Sequence, residues 1–107
     1  MTKKLPIRPN VYIDFEIIKN SEPSKLIEEF KLIIGLERII IIWSKNHSLE
    51  EMLHYCIQNN LQEYIWDYKL KDSFLYSSVD FIIDTNKKLV DKFIKCGKLG
   101  NHINRIE

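Results

Sequence analysis

The pattern of apolar runs predicts an α/β fold: one three-layer domain, residues 1–107, built on a parallel sheet of four to five strands with helices on both faces. Three observations lead there. Short β-branched runs alternate with stretches of helical periodicity, the order expected of βαβ units with right-handed crossovers. Two of the runs, Val11-Tyr12-Ile13 and Ile39-Ile40-Ile41-Ile42, are apolar without interruption, as strands buried on both faces are. With 3 Gly and 3 Pro in 107 residues, the connections between elements must be short.

The elements follow in order. Residues 1 to 10 read as an irregular arm, because Pro6 and Pro9 block regular structure. The first strand spans about Asn10 to Glu16. Ile17 to Asn20 connect it to a helix capped by Ser21, with Pro23 in its first turn and Gly35 closing it. Leu26, Ile27, Phe30, Ile33 and Ile34 give that helix its apolar face. Arg38 to Trp43 form the second strand; four consecutive isoleucines would be an aggregation hazard at an edge, which places them inside the sheet.

Ser48 and Glu51 make a capping box before Leu49, Met52, Leu53, Cys56 and Ile57, and Asn59-Asn60 end this helix in a left-handed turn. Leu61 to Trp66 is read as a third strand, and 67–78 as a charged loop with one short helical turn. Val79 to Asp84 is a fourth strand. Thr85 or Asn86 caps the last helix, with Leu89, Val90, Phe93 and Ile94 inward and Gly97 at its end; His102 to Ile106 reads as a short final strand.

A net charge of +1 argues against a general nucleic-acid or membrane-surface binder. No segment reaches the roughly 18 consecutive apolar residues of a membrane span, and the basic Met1-Thr2-Lys3-Lys4-Leu5-Pro6 has no apolar stretch behind it, so a cytoplasmic location is expected. Cys56 and Cys96 are spaced for neither zinc nor a CxxC pair and read as reduced thiols in or near the core. Six basic residues, Lys87, Lys88, Lys92, Lys95, Lys98 and Arg105, give the C-terminal segment a basic face; the ordinary reading is a solvated helix face, and the functional one a phosphate-rich polymer or an acidic protein as partner.

The chemistry-bearing residues gather at strand ends. Asp14, Glu16, Ser44 and Asp84 all fall at or just past the carboxyl ends of strands, where open α/β sheets bind ligands. A buried acid there must be paired, hydrogen-bonded or on a cation.

Tyr12-Ile13-Asp14-Phe15-Glu16, Ile41-Ile42-Trp43-Ser44 and Val79-Asp80-Phe81-Ile82-Ile83-Asp84-Thr85, in that order, resemble three motifs of the haloacid dehalogenase-like (HAD) phosphohydrolases, small capless members in particular. The resemblance covers about residues 10 to 96 and implies a Rossmann-like fold. It further implies Asp14 as the nucleophile forming an aspartyl-phosphate, Glu16 as general acid and then base, and Ser44 as a donor to a phosphoryl oxygen. A lysine, Lys71 or Lys69, would neutralise developing charge. Mg²⁺ would be held by Asp14, Asp84 and, through a backbone carbonyl near it, Glu16. The substrate would be a phosphorylated compound or macromolecule. The chain departs from the pattern where Glu16 replaces an Asp, Ile17-Ile18 replaces Gly-Thr, and Thr85 replaces a second acid.

Two alternatives follow. The departures suit a non-enzymatic interaction or inhibitor module with a protein partner on the same fold. Ile13-Asp14-Phe15-Glu16-Ile17 and the later acidic strand also resemble NYN/PIN-type metal-dependent ribonucleases, whose partner would be RNA.

Overall fold

The computed structural model describes residues 9–71 and 78–103. Its five strands are β1 (Asn10–Asp14), β2 (Ile39–Ser44), β3 (Asp67–Leu70), β4 (Phe81–Asp84) and β5 (Leu99–His102). They form one sheet in the order β3-β2-β1-β4-β5, and every neighbouring pair is parallel. The helices are α1 (Phe15–Lys19), α2 (Pro23–Gly35), α3 (Leu49–Gln58) and α4 (Lys87–Lys95). The expected three-layer Rossmann-like α/β domain is the one observed.

Side-chain alternation along the central strands divides the core in two. Val11, Ile13, Ile40 and Ile42 pack with Ile17 and Ile18 of α1, Leu26 and Phe30 of α2, and Met52 and Cys56 of α3. Tyr12, Ile41, Trp43 and Ile82 turn to the other face and pack with Phe93 of α4. Burial on both faces explains why β1 and β2 carry no polar alternation. At the amino end, Asn10 and Asp80 exchange backbone-to-side-chain hydrogen bonds of 2.9 and 2.8 Å, which set β4 beside β1.

All three long helices end alike. The residue in the left-handed conformation is Glu37, Asn60 or Gly97, and the next amide, of Arg38, Leu61 or Lys98, bonds back to the carbonyl of Ile33, Cys56 or Phe93. Gly97 and Asn60 behave as expected. Gly35 does not: it is the last helical residue of α2, and the left-handed position falls on Glu37, at φ 61°. Ser21 likewise does not cap α2; its hydroxyl donates to the Ile17 carbonyl at 2.7 Å, and Glu22 precedes the helix.

Four other boundaries move, the fourth strand beginning at Phe81 rather than Val79. The first strand stops at Asp14, and residues 15–19, expected as strand end and connection, form α1, whose Phe15, Ile17 and Ile18 are buried. The third strand lies at 67–70 because Leu61 is consumed in closing α3 and Gln62–Tyr64 make a 3-10 turn that directs Tyr64 and Ile65 into the core. The last strand begins at Leu99 rather than His102, its Leu99 amide bonding to the Asp80 carbonyl. Cys56 is buried as expected, and burial pushes its thiol up to about 11, whereas Cys96 is exposed. The short helical turn expected within 67–78 falls largely outside the described residues, as do Arg105 and most of the N-terminal arm.

Candidate functional site

The chain leaves β1 outward through β2 to β3, then returns to β4 on the other side of β1. β1 and β4 therefore flank the point where the winding reverses, and the crevice beyond their carboxyl ends is where such sheets bind ligands. Asp14 ends β1 and Asp84 ends β4. Both carboxylates are buried, with side chains 5% and 0% exposed.

Lys71, one residue past β3, supplies the countercharge. Its ammonium lies 2.9 Å from Asp84 Oδ2, 3.2 Å from Asp84 Oδ1 and 3.5 Å from Asp14 Oδ1, and 5.3 Å from the centre of the Trp43 ring. The remaining donors are local. Thr85 Oγ1 donates to Asp14 Oδ2 at 2.7 Å, the Glu16 amide reaches Asp14 Oδ1 at 3.4 Å, and the Asn86 amide donates to Asp84 Oδ1 at 2.9 Å. Burial, and then the neighbouring Asp14 carboxylate, push the Asp84 carboxyl above the usual carboxylate range, against the pull of Lys71 and the Asn86 amide.

The structure thus brings together Asp14, Asp84 and Lys71. Lys69, the other candidate lysine, is exposed and pairs with Asp67 at 3.8 Å. Ser44 ends β2, buried, and its hydroxyl oxygen accepts the amides of Asn46 and His47 at 3.2 Å each. That leaves its single proton available for donation.

Glu16 is held elsewhere. Because α1 begins directly after Asp14, Glu16 is a helical residue, and its carboxylate lies 3.1 Å from His47 Nε2. His47 Nδ1 is in turn 3.6 Å from Glu51, whose carboxyl is held below the usual range first by the Ser48 amide of the capping box. Lys19 Nζ approaches His47 Nε2 at 3.5 Å. The residue pair that looked like one acidic motif therefore serves two clusters.

Of the carbonyls near Glu16 expected to reach Mg²⁺, its own is engaged within the helix. The Glu16 carbonyl accepts the Asn20 amide at 3.2 Å and the Asn20 side-chain amide at 2.7 Å, so both its lone pairs are engaged along the helix. Among the described residues no three His, Cys, Asp or Glu side chains group to hold a metal ion.

Two participants were not read from sequence as parts of a site. Thr85, a candidate cap of the last helix and a replaced acid in sequence, is the closest donor to Asp14, and Asn86 is the residue that caps α4. His47 lies between β2 and α3; the signal for it is its place four residues before Glu51, which puts an imidazole beside the capping box. No family model, curated protein or solved structure matches this chain. Among the described residues no helix is long and apolar enough to cross a membrane.

Proposed function

We propose that this chain is a HAD-like domain that has lost phosphohydrolase turnover and acts as a non-enzymatic interaction module. One observation carries the reading: the carboxylate pair at the switch point is closed on itself. Asp14 Oδ1, Asp14 Oδ2 and Asp84 Oδ1 each have an ammonium, amide or hydroxyl of the chain within 3.5 Å, and Asp84 Oδ2, which accepts no hydrogen bond, is ion-paired with the Lys71 ammonium at 2.9 Å. An ammonium 3.5 Å from Asp14 Oδ1 and 2.9 Å from Asp84 Oδ2 already supplies the positive charge that a hard cation would bring to these oxygens, which favours a cluster that holds itself together over one that waits for a metal. Glu16, the intended acid and base, is bound to His47. A group that transfers a proton to a leaving oxygen must lie within hydrogen-bond reach of it, which favours loss of that role here.

The active phosphohydrolase is the second reading, favoured by the convergence of Asp14, Lys71 and Asp84 at the crevice itself. A ribonuclease needs a cluster of acids, and Glu16 stands apart from the other two.

Hydrolysis of p-nitrophenyl phosphate in millimolar Mg²⁺, compared between the wild type and Asp14→Asn, tests the conclusion. The expected result is no release of nitrophenolate above the Asp14→Asn background. Mg²⁺-dependent release that this substitution abolishes would make the chain a working phosphohydrolase and sink the proposal.

A further inference from the structure

α4 concentrates positive charge on a face of the sheet that it shares with no other described helix; α1, α2 and α3 all pack on the opposite face. Val90 and Phe93 are its buried side. Lys88, Lys92 and Lys95, at i, i+4 and i+7, form one exposed row along it, and Lys98, also exposed, follows the turn at Gly97. Asp91, the one acid among residues 87–98, pairs with Lys87 at 3.0 Å. Among the described residues no carboxylate lies within ion-pair distance of Lys88 or Lys95. The overall charge of +1 conceals this segregation: residues 87–98 hold five lysines and one acid, so the rest of the chain is net negative.

A merely solvated helix face does not account for where these lysines sit. The helix dipole favours anions in the first turn and cations in the last. α3 conforms, with Glu50 and Glu51 in its first turn. α4 begins instead with Lys87 and Lys88 and has no acid in its first turn. Lys87 is offset by Asp91, but Lys88 is held there against the dipole. Positive charge therefore continues along the whole helix, including the end where it opposes helix stability.

We propose that this face holds the phosphate backbone of a nucleic-acid duplex without regard to sequence. What the face lacks selects that partner. A protein would be met by an apolar centre with a polar rim, and a bilayer by projecting apolar side chains, but Ile94, half exposed, is the one exposed large aliphatic residue of α4. Single strands are gripped by aromatic stacking and base edges are read by arginine or amide side chains; the exposed residues of α4 include none of these. Lysine is a point charge, suited to meeting phosphate alone. Lys88, Lys92, Lys95 and Lys98 make the contacts. None of them takes part in the carboxyl-end cluster, so this binding stands or falls separately from loss of turnover.

Fluorescence anisotropy of labelled mixed-sequence duplexes, DNA in one arm and RNA in the other, tests this across a salt series. Each phosphate neutralised gives a log–log slope of about −0.9, so four contacts are expected to cost about a hundredfold in affinity between about 50 and about 200 mM salt. Replacing Lys88 and Lys95 together by Gln is expected to reduce that loss to about tenfold. Lys25→Gln with Lys31→Gln, the same charge change on exposed residues of α2, is expected to leave the salt dependence unchanged. Circular dichroism of each variant separates loss of binding from loss of fold. Absence of binding to both duplexes at low salt, including a chain that instead takes up phosphatidylserine vesicles or polyglutamate, would overturn the proposal. So would a salt dependence that the α4 pair leaves intact, or one that the α2 pair reduces equally.

Discussion

The two ends of the sheet solve opposite problems. At the carboxyl end, two acids are buried against one ammonium; three of their oxygens have donors from the chain and the fourth, Asp84 Oδ2, is held by the Lys71 ion pair alone. At the amino end, large apolar side chains lie exposed around a concavity and a charged residue sits in a strained turn. The first end balances its buried charge with Lys71, and the second leaves apolar area in water. Burying a charge makes a partner obligatory, whereas an apolar side chain left in water requires none.

The sharpest way to break this comparison is to remove the countercharge. Lys71→Met leaves Asp14 and Asp84 buried with only dipolar donors, and it is expected to destabilise the fold by about 3–5 kcal/mol in urea unfolding at neutral pH. A loss under about 1 kcal/mol would mean the carboxylates are hydrated and the cluster is open.

The second effect depends on pH. Because the Asp84 carboxyl is raised on folding, the native state holds its proton at a pH where the unfolded chain has released it. The contribution of Asp84 to stability is therefore greatest below the ordinary carboxylate range and is lost as pH climbs from there through the raised value. Asp84→Asn keeps an acceptor for Lys71 and the Asn86 amide but cannot ionise. It is expected to flatten that part of the pH profile, while its amide NH2, set against the Lys71 ammonium where Oδ2 lay 2.9 Å away, keeps it from gaining stability at pH 7. A pH profile that Asp84→Asn leaves unchanged would show that another group carries that slope.

At the other end the effects shrink. Glu37→Gly relieves the left-handed strain but makes the unfolded chain more flexible, for a net gain of about 0.5–1 kcal/mol. Leu36→Gln is expected to change stability by no more than about 0.5 kcal/mol, since its side chain is largely in water. Thermal unfolding of both variants beside the wild type checks these values. A large loss on Leu36→Gln would reassign that residue to the fold.

Much of the fold was legible because the signals were local. The unbroken Ile39–Ile42 run reads as an interior strand, and the Ser48/Glu51 box reads as a helix start, whatever surrounds them. The misread boundaries were decided by tertiary packing. Leu61, Tyr64 and Ile65 have strand-like character, but the end of α3 claims Leu61 and turns the next residues into the core. Ile17 and Ile18 looked like a connection, yet burial against β1 and β2 makes them helix.

The site was legible as positions and illegible as partnerships. Strand ends placed Asp14, Ser44 and Asp84 correctly at one edge of the sheet, and Lys71 was among the candidates. Nothing in the spacing of Asp14 and Glu16 shows that a helix starts between them and sends the second acid to a histidine 31 residues away. Nor does a threonine in an acid's place announce that it will bond to a carboxylate 71 residues distant.

The most direct test of the closed cluster is calorimetric titration of the wild type with Mg²⁺, beside Asp14→Asn and Asp84→Asn. A closed cluster gives no saturable heat at millimolar Mg²⁺ in any of the three. Saturable binding in the wild type that both substitutions abolish would show that the carboxylates release Lys71 to take up a cation, and would return the crevice to the role of an active site.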